Sequence, residues 1–191
     1  MRGTSCREAI KKWEEKSGTP PAEATEVSLI GQVPPIDRID DSLNQFENCV
    51  KLSLSTNAID RMVSLPRLKN LKILSLGRNN ISRIQYLDDV AATLEELWIS
   101  YNFISRMDGI GACNKLHTLY MSNNRIARWD EIAKCASLPE LKVVLFFGNP
   151  VYDRESKQIN WPMVVRKIPG VETVDGTMVT GQVRAEAENL E

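Results

Sequence analysis

The chain is poor in what catalysis ordinarily uses. It holds a single histidine, His117. No phosphate-binding glycine loop, metal-ligand spacing, paired-carboxylate arrangement or nucleophile motif accompanies it. An enzyme is therefore not expected, and His117, next to Leu116, reads as a surface residue. The four cysteines, Cys6, Cys49, Cys113 and Cys135, are scattered and contain no CxxC pair. That spacing excludes a secreted-type disulfide framework and fits reduced thiols in a cytosolic protein. Charge of one sign is not in excess: 24 Lys+Arg stand against 25 Asp+Glu, a formal net charge of −1. A dedicated nucleic-acid binder would carry a basic surplus. No stretch reaches the roughly 18 uncharged residues of a membrane span. Residues 1–16 are charged throughout, without the apolar centre of a signal peptide, and Arg2 removes N-myristoylation.

What the chain does have is length, hydrophobicity and repetition. Its 191 residues are 42% hydrophobic and 26% charged, ordinary for one globular domain with a sizeable core. Leu52-Ser-Leu54 with Asn57 recurs as Leu74-Ser-Leu76 with Asn79 and as Leu97-Trp-Ile99 with Asn102. Leu119-Tyr-Met121 with Asn124 and Val144-Leu-Phe146 with Asn149 continue the series, the asparagines standing 22, 23, 22 and 25 residues apart. A degenerate first copy begins at Val27 and Leu29, with Pro34 in place of the asparagine.

This is the leucine-rich repeat pattern in its short form. It predicts an α/β solenoid with a short parallel sheet on the concave face and helices and irregular turns on the convex face. Each Leu-x-Leu puts two apolar side chains on one side of a strand. Met62, Leu65 and Leu68, or Ile84, Leu87 and Val90, return to the same interior from behind. The asparagines are expected to be buried and to satisfy backbone groups of adjacent turns. Trp129 shares the register of Met62, Ile84 and Met107 and is expected in the core.

An open stack needs caps. Ser5 and Glu8 fit a capping box ahead of a helix that places Cys6, Ile10 and Trp13 on one face and ends at Gly18-Thr-Pro-Pro21. Trp161, Val164, Val165 and Ile168 make a second amphipathic stripe, and residues 171–176 resemble a last strand. The expected organisation is one domain: cap and linker at 1–26, about six repeats at 27–150, a C-terminal cap at 151–176 and a frayed polar tail at 177–191.

A solenoid usually binds through its concave sheet. Its outward central row is expected to run Ile30, Ser53, Ser75, Trp98, Tyr120, Leu145, with Val143 and Phe147 in the flanking rows. Trp98, Tyr120, Val143, Leu145 and Phe147, extended by Tyr101, form a candidate protein-binding patch. Four residues after each asparagine register stands an arginine: Arg38, Arg61, Arg83, Arg106 and Arg128. This basic ridge is either a solvated edge or a ladder facing an acidic protein surface.

The runs Leu71–Ile81, Leu94–Ile104 and Leu119–Asn124, with Trp13-Glu-Glu-Lys-Ser-Gly18 and Pro34-Pro-Ile-Asp-Arg-Ile-Asp40, resemble the leucine-rich repeat light chain 1 family of the axonemal outer dynein arm. The resemblance covers roughly residues 4–176. It implies a non-catalytic subunit without cofactor or metal, monomeric on its own, located in the cytoskeleton of the cilium or flagellum. The implied partner is a dynein heavy chain, bound at the microtubule-binding domain of its stalk, with tubulin as a further candidate. Neither nucleic acid nor membrane is implied. Trp98, Tyr101, Tyr120, Leu145 and Phe147 are the expected heavy-chain contacts, with Arg83 and Arg106 weaker candidates. The same repeat pattern also resembles a phosphatase regulatory subunit and a protein of the spliceosomal U2 particle, both adaptors.

Overall fold

The computed structural model describes residues 3–152 and 157–190. The remaining positions, which fall in the expected caps and tail, lie outside the described residues. An open sheet of eight strands runs in strict chain order. The strands are β1 (Glu26–Ser28), β2 (Lys51–Ser53), β3 (Ile73–Ser75), β4 (Glu96–Trp98), β5 (Thr118–Tyr120), β6 (Val143–Leu145), β7 (Thr173–Val174) and β8 (Thr177–Met178). The pairings from β1 to β7 are parallel, and β8 turns back antiparallel on β7. Leu52, Leu74, Leu97, Leu119 and Val144 stand opposite one another in neighbouring strands. Each is essentially fully buried. Short strands suffice because every copy adds one rung to a shared interior rather than closing its own.

The asparagines build the turn that leaves each strand. Asn79 accepts the Ile59 N–H at 3.0 Å and donates to the carbonyls of Leu54 and Leu76 at 3.1 and 3.0 Å. Asn102 repeats the pattern with Ile81, Leu76 and Ile99, and Asn124 repeats it with Ile104, Ile99 and Met121. Asn149 does so with Ile126, Met121 and Phe146. Each amide thus joins its own turn to the preceding one, where the backbone groups have no water to bond. Asn57 makes the equivalent bonds to Ile36, Leu29 and Leu54 but is only half-buried. Its neighbour on that side is the degenerate copy, which covers it less completely.

On the convex side the chain runs through 3-10 turns (Asp41–Gln45, Leu87–Asp89, Lys134–Ser137) and the short helix α2 (Trp129–Ala133). The N-terminal cap is α1 (Cys6–Ser17), with its capping box formed and Gly18 left-handed at its end. Cys6 and Ile10 are buried, while Trp13 is half-buried and sets its edge on Phe46, centroids 5.3 Å apart. Trp129 is also half-buried rather than core, stacked against Tyr152 with centroids 6.0 Å apart. An indole is too large for a slot that Met62 and Ile84 fill, and part of its ring stays outside.

The C-terminal end differs from expectation. Helix α3 (Lys157–Lys167) buries Val164 and Val165. The segment beyond residue 176 is not frayed, however: it forms β8 and then α4 (Gly181–Glu188). Thr180 caps α4 by accepting from the Val183 N–H, and Ala187 is buried. Arg184 ties the helix down by donating to the carbonyls of Pro169 and Val171 at 3.0 and 2.8 Å. A helix with few apolar residues holds because α3 lies alongside it and two backbone carbonyls receive a guanidinium.

Candidate functional site

The concave face is assembled by register. Ser28, Ser53, Ser75, Trp98, Tyr120 and Leu145 follow one another across β1 to β6. The first member of this row is Ser28, not Ile30. Ile30 lies two residues further on, beside Ser55, as the bond from Gly31 N–H to the Ser55 carbonyl requires. Alternation along a strand moves a residue by one row for every two positions. The N-terminal half of the central row is therefore made of three serines.

Trp98 and Tyr120 stack with centroids 5.9 Å apart and planes 27° from parallel. The indole N–H donates to a Glu96 carboxylate oxygen at 2.9 Å, which fixes the ring's orientation. Both aromatic residues, with Val143 and Leu145, are half-buried, whereas Phe147 is 45% exposed. The C-terminal cap holds the Phe147 backbone, with Asp175 accepting the Phe146 and Phe147 N–H groups at 2.7 and 3.0 Å, while the ring stays exposed. The structure thus brings Trp98, Tyr120, Val143 and Leu145 onto neighbouring strands β4 to β6, with Phe147 in the turn that follows β6. Tyr101 stands apart from them, at the sheet edge.

Between the aromatic pair and the N-terminal cap lies a groove of about 440 Å³. Trp13 and Ile30 wall it on one side and Trp98 on the other, and Ser28, Ser53 and Ser75 form its floor. Trp13 is thus both a cap residue and a wall. Nothing in the sequence signals that second role, because it depends on how α1 lies against β1.

The arginine ridge proves largely compensated. Arg61 lies 3.8 Å from Asp60, Arg106 3.0 Å from Asp108 and Arg128 3.4 Å from Glu131. Lys134 links Asp108 to Glu131, lying 2.7 Å from the latter. Burial alone would raise the Glu131 carboxyl, but the Lys134 ammonium, the Met107 N–H and Arg128 together hold it below the usual carboxylate range. Arg83 is exposed and makes no ion pair among the described residues.

A different arginine pair, which the spacing argument did not single out, sits on the asparagine-turn edge. Here Gly31, Thr56, Arg78, Tyr101, Asn123 and Gly148 all take left-handed φ, from 54° to 75°. A Cβ at Gly148 would meet Asn123 Oδ1 at 2.5 Å, so glycine is required there. The Arg78 guanidinium lies 4.4 Å from the Tyr101 ring centre, and that of Arg125 lies 4.2 Å from the Phe103 ring centre.

At the C-terminal end of the same edge is a larger cavity of about 780 Å³, lined by Asn123, Phe147, Tyr152, Trp161 and Asp175 among others. Burial, then the nearby Asp175 carboxylate, pushes the Tyr152 phenol well above its ordinary value. Among the described residues no group of three His, Cys, Asp or Glu is arranged to hold a metal ion. None of the helices among them is long and apolar enough to cross a membrane.

Known proteins resemble this chain along most of its length. A family model described as Leucine Rich repeats (2 copies) matches residues 92–134. Dynein axonemal light chain 1 of Homo sapiens is 49% identical over 179 residues, 93% of this chain and 94% of the relative. The protein of the same name from Danio rerio is 48% identical over 182 residues, 95% of each chain. That from Chlamydomonas reinhardtii is 43% identical over 191 residues, 97% of this chain and 96% of the relative. Among solved structures, an internalin from Listeria monocytogenes aligns with a TM-score of 0.62 at 19% identity, covering 78% of this chain and 41% of that one. The Drosophila melanogaster SNF/U2A′ complex aligns with a TM-score of 0.54 at 19% identity, over 85% of this chain and 79% of that one. At such identities these two carry the solenoid fold alone.

Proposed function

Because the chain belongs to the dynein axonemal light chain 1 family, we propose that it serves as a non-catalytic light chain of the ciliary or flagellar outer dynein arm. In this reading its concave face grips a dynein heavy chain at the microtubule-binding domain of the stalk. It then modulates how the motor engages the microtubule, with tubulin close enough to be a second contact. The chain acts as a monomer that docks onto its partner.

The observation that carries this reading is the Trp98–Tyr120 stack. Two large rings are held in one orientation by each other and by Glu96, and they remain partly open to solvent beside Leu145 and Phe147. A preorganised aromatic pair on an open sheet loses little conformational freedom on binding and supplies the large contact area typical of interface anchors. Helical partner elements, about 10 Å across, span two strand spacings of about 4.8 Å each. The serine floor beside Trp98 gives such an element room to approach closely.

The test is a titration against a recombinant heavy-chain stalk-tip domain, wild type beside Trp98→Ala/Tyr120→Ala, with thermal melts of both. Losing a central aromatic anchor costs about 2 kcal/mol or more, roughly thirtyfold in affinity. That loss in a variant that still folds supports the reading. Equal affinity moves the heavy-chain site off the concave face, and no binding by the wild type removes the stalk tip as the partner.

A further inference from the structure

Tyr101 and Phe103 flank Asn102 within one turn, and each ring receives a guanidinium from a neighbouring turn. Arg78 reaches forward onto Tyr101 from the turn before, and Arg125 reaches back onto Phe103 from the turn after. The backbone ladder holds the three turns in register: Arg78 N–H donates to Ser100, Tyr101 N–H to Ser122, Phe103 N–H to Ile81 and Arg125 N–H to Ile104. The two arginines therefore start from turns on either side and converge on the single turn between them. All four side chains are exposed, with Tyr101 at 46% and Phe103 at 42%. Neither guanidinium has a carboxylate within ion-pair distance among the described residues.

We propose that this bracket, Arg78–Tyr101–Asn102–Phe103–Arg125, is a second binding surface, and that it takes a carboxylate-rich, extended polypeptide segment. A guanidinium stacked on a ring spends its face and keeps its N–H donors, which lie in its plane and point outward past the ring edge. It is thus held in place before any ligand arrives and still offers the two-pronged geometry that a carboxylate fits. Two guanidiniums gathered over one turn suit acidic side chains on a single face of an extended chain, where alternate residues point the same way. Among the ridge arginines, Arg61, Arg106 and Arg128 already face Asp60, Asp108 and Glu131, and Arg83, though unpaired among the described residues, is not held against a ring there.

A nucleic acid fits less well. One face of each ring is occupied by a guanidinium, which removes the open stacking platform that single strands use. This surface lies outside the row that holds Trp98 and Tyr120, and its test changes Arg78 and Arg125, neither of them an expected heavy-chain contact, so the two readings fail separately.

The experiment uses the full chain and a fluorescein-labelled oligoglutamate peptide, followed by anisotropy at low and at physiological salt. Three proteins are compared: wild type, Arg78→Gln/Arg125→Gln, and the ridge variant Arg83→Gln/Arg106→Gln, each checked by a thermal melt. The expected result is binding by wild type that weakens with salt, about a tenfold or greater loss in Arg78→Gln/Arg125→Gln, and little change in the ridge variant. Glutamine keeps most of each stem, so a folding loss is not expected. A melt that shows one would move the comparison to the single variants. Absence of wild-type binding, an unchanged Arg78→Gln/Arg125→Gln, or a loss confined to the ridge variant overturns the proposal. So does tighter binding of a labelled oligothymidylate of equal charge.

Discussion

Trp161 donates its indole N–H to Asp175 Oδ2 at 3.2 Å. The same oxygen takes the Tyr152 hydroxyl at 2.8 Å, while Oδ1 takes the backbone N–H groups of Phe146 and Phe147. One carboxylate thus ties the last repeat to the C-terminal cap with four donors. Asp175→Ala strips the acceptor from all four, and a buried donor left unpaired costs about 1–3 kcal/mol. Cooperative unfolding measured in urea should show a loss of about 2–4 kcal/mol. Hydrogen exchange should locate it, with the Phe146 and Phe147 amides losing protection while the β2 and β3 amides keep theirs. Uniform loss of protection would mean that the cap is not a separable unit.

The asparagine ladder makes a graded prediction. Asn102 is 4% exposed and makes the full set of bonds across two turns, whereas Asn57 makes the same bonds half in water. Asn102→Ala should cost about 2–4 kcal/mol, since water cannot replace what is lost. Asn57→Ala should cost about half as much. Equal losses at the two positions in urea titrations would show that burial is not what sets the worth of these amides.

How far the sequence carries depends on whether the information is periodic. The strand positions of Leu52, Leu74, Leu97 and Leu119 follow from the asparagine spacing, and the capping box at Ser5 and Glu8 is local. The stack of Trp98 on Tyr120 follows too, because register alone makes them neighbours. Features that need side-chain reach do not follow. Arg78 precedes one ladder asparagine and Arg125 follows another, so no fixed spacing links them, yet both arrive over the aromatic residues beside Asn102. Asp108 and Glu131 sit two and three residues beyond their ridge arginines, at no constant offset that a repeat pattern would reveal. The Ile30 placement slipped because the degenerate first copy lacks its asparagine, and α4 was hidden because Val183 and Ala187 make too faint a stripe.

Glu131 sets an acid-sensitive contribution to stability. Its side chain is 3% exposed, and its folded carboxyl is held below the ordinary value of 4.5 despite burial, by Lys134, the Met107 N–H and Arg128. A carboxyl lowered on folding contributes stability that is complete above its unfolded pKa and is lost as pH falls through the folded one. Unfolding free energy should therefore decline from about pH 4.5 downward. Glu131→Gln should be less stable than wild type at pH 7 and should show a shallower decline. The two curves should approach each other toward pH 3, and a constant gap across that range would assign the acid response to other carboxylates.

The four cysteines give a direct measure of how closed the solenoid is. Cys6, Cys49, Cys113 and Cys135 are all free and fully buried. Burial pushes the thiols of Cys49 and Cys113 up to about 11 and that of Cys135 up to about 12. Because the thiolate is the reactive form, each is guarded twice, by exclusion of the reagent and by protonation at neutral pH. Ellman's reagent at pH 8 should titrate close to no thiol in the native protein and all four in urea. Cys6 sits in α1, the element that fraying of the N-terminal cap would open first, so partial native reactivity should begin there. Mass spectrometry after brief iodoacetamide labelling distinguishes the cases. Label on Cys6 alone reports cap opening, whereas label on Cys113 or Cys135 would mean that the repeats themselves breathe apart in the middle of the stack.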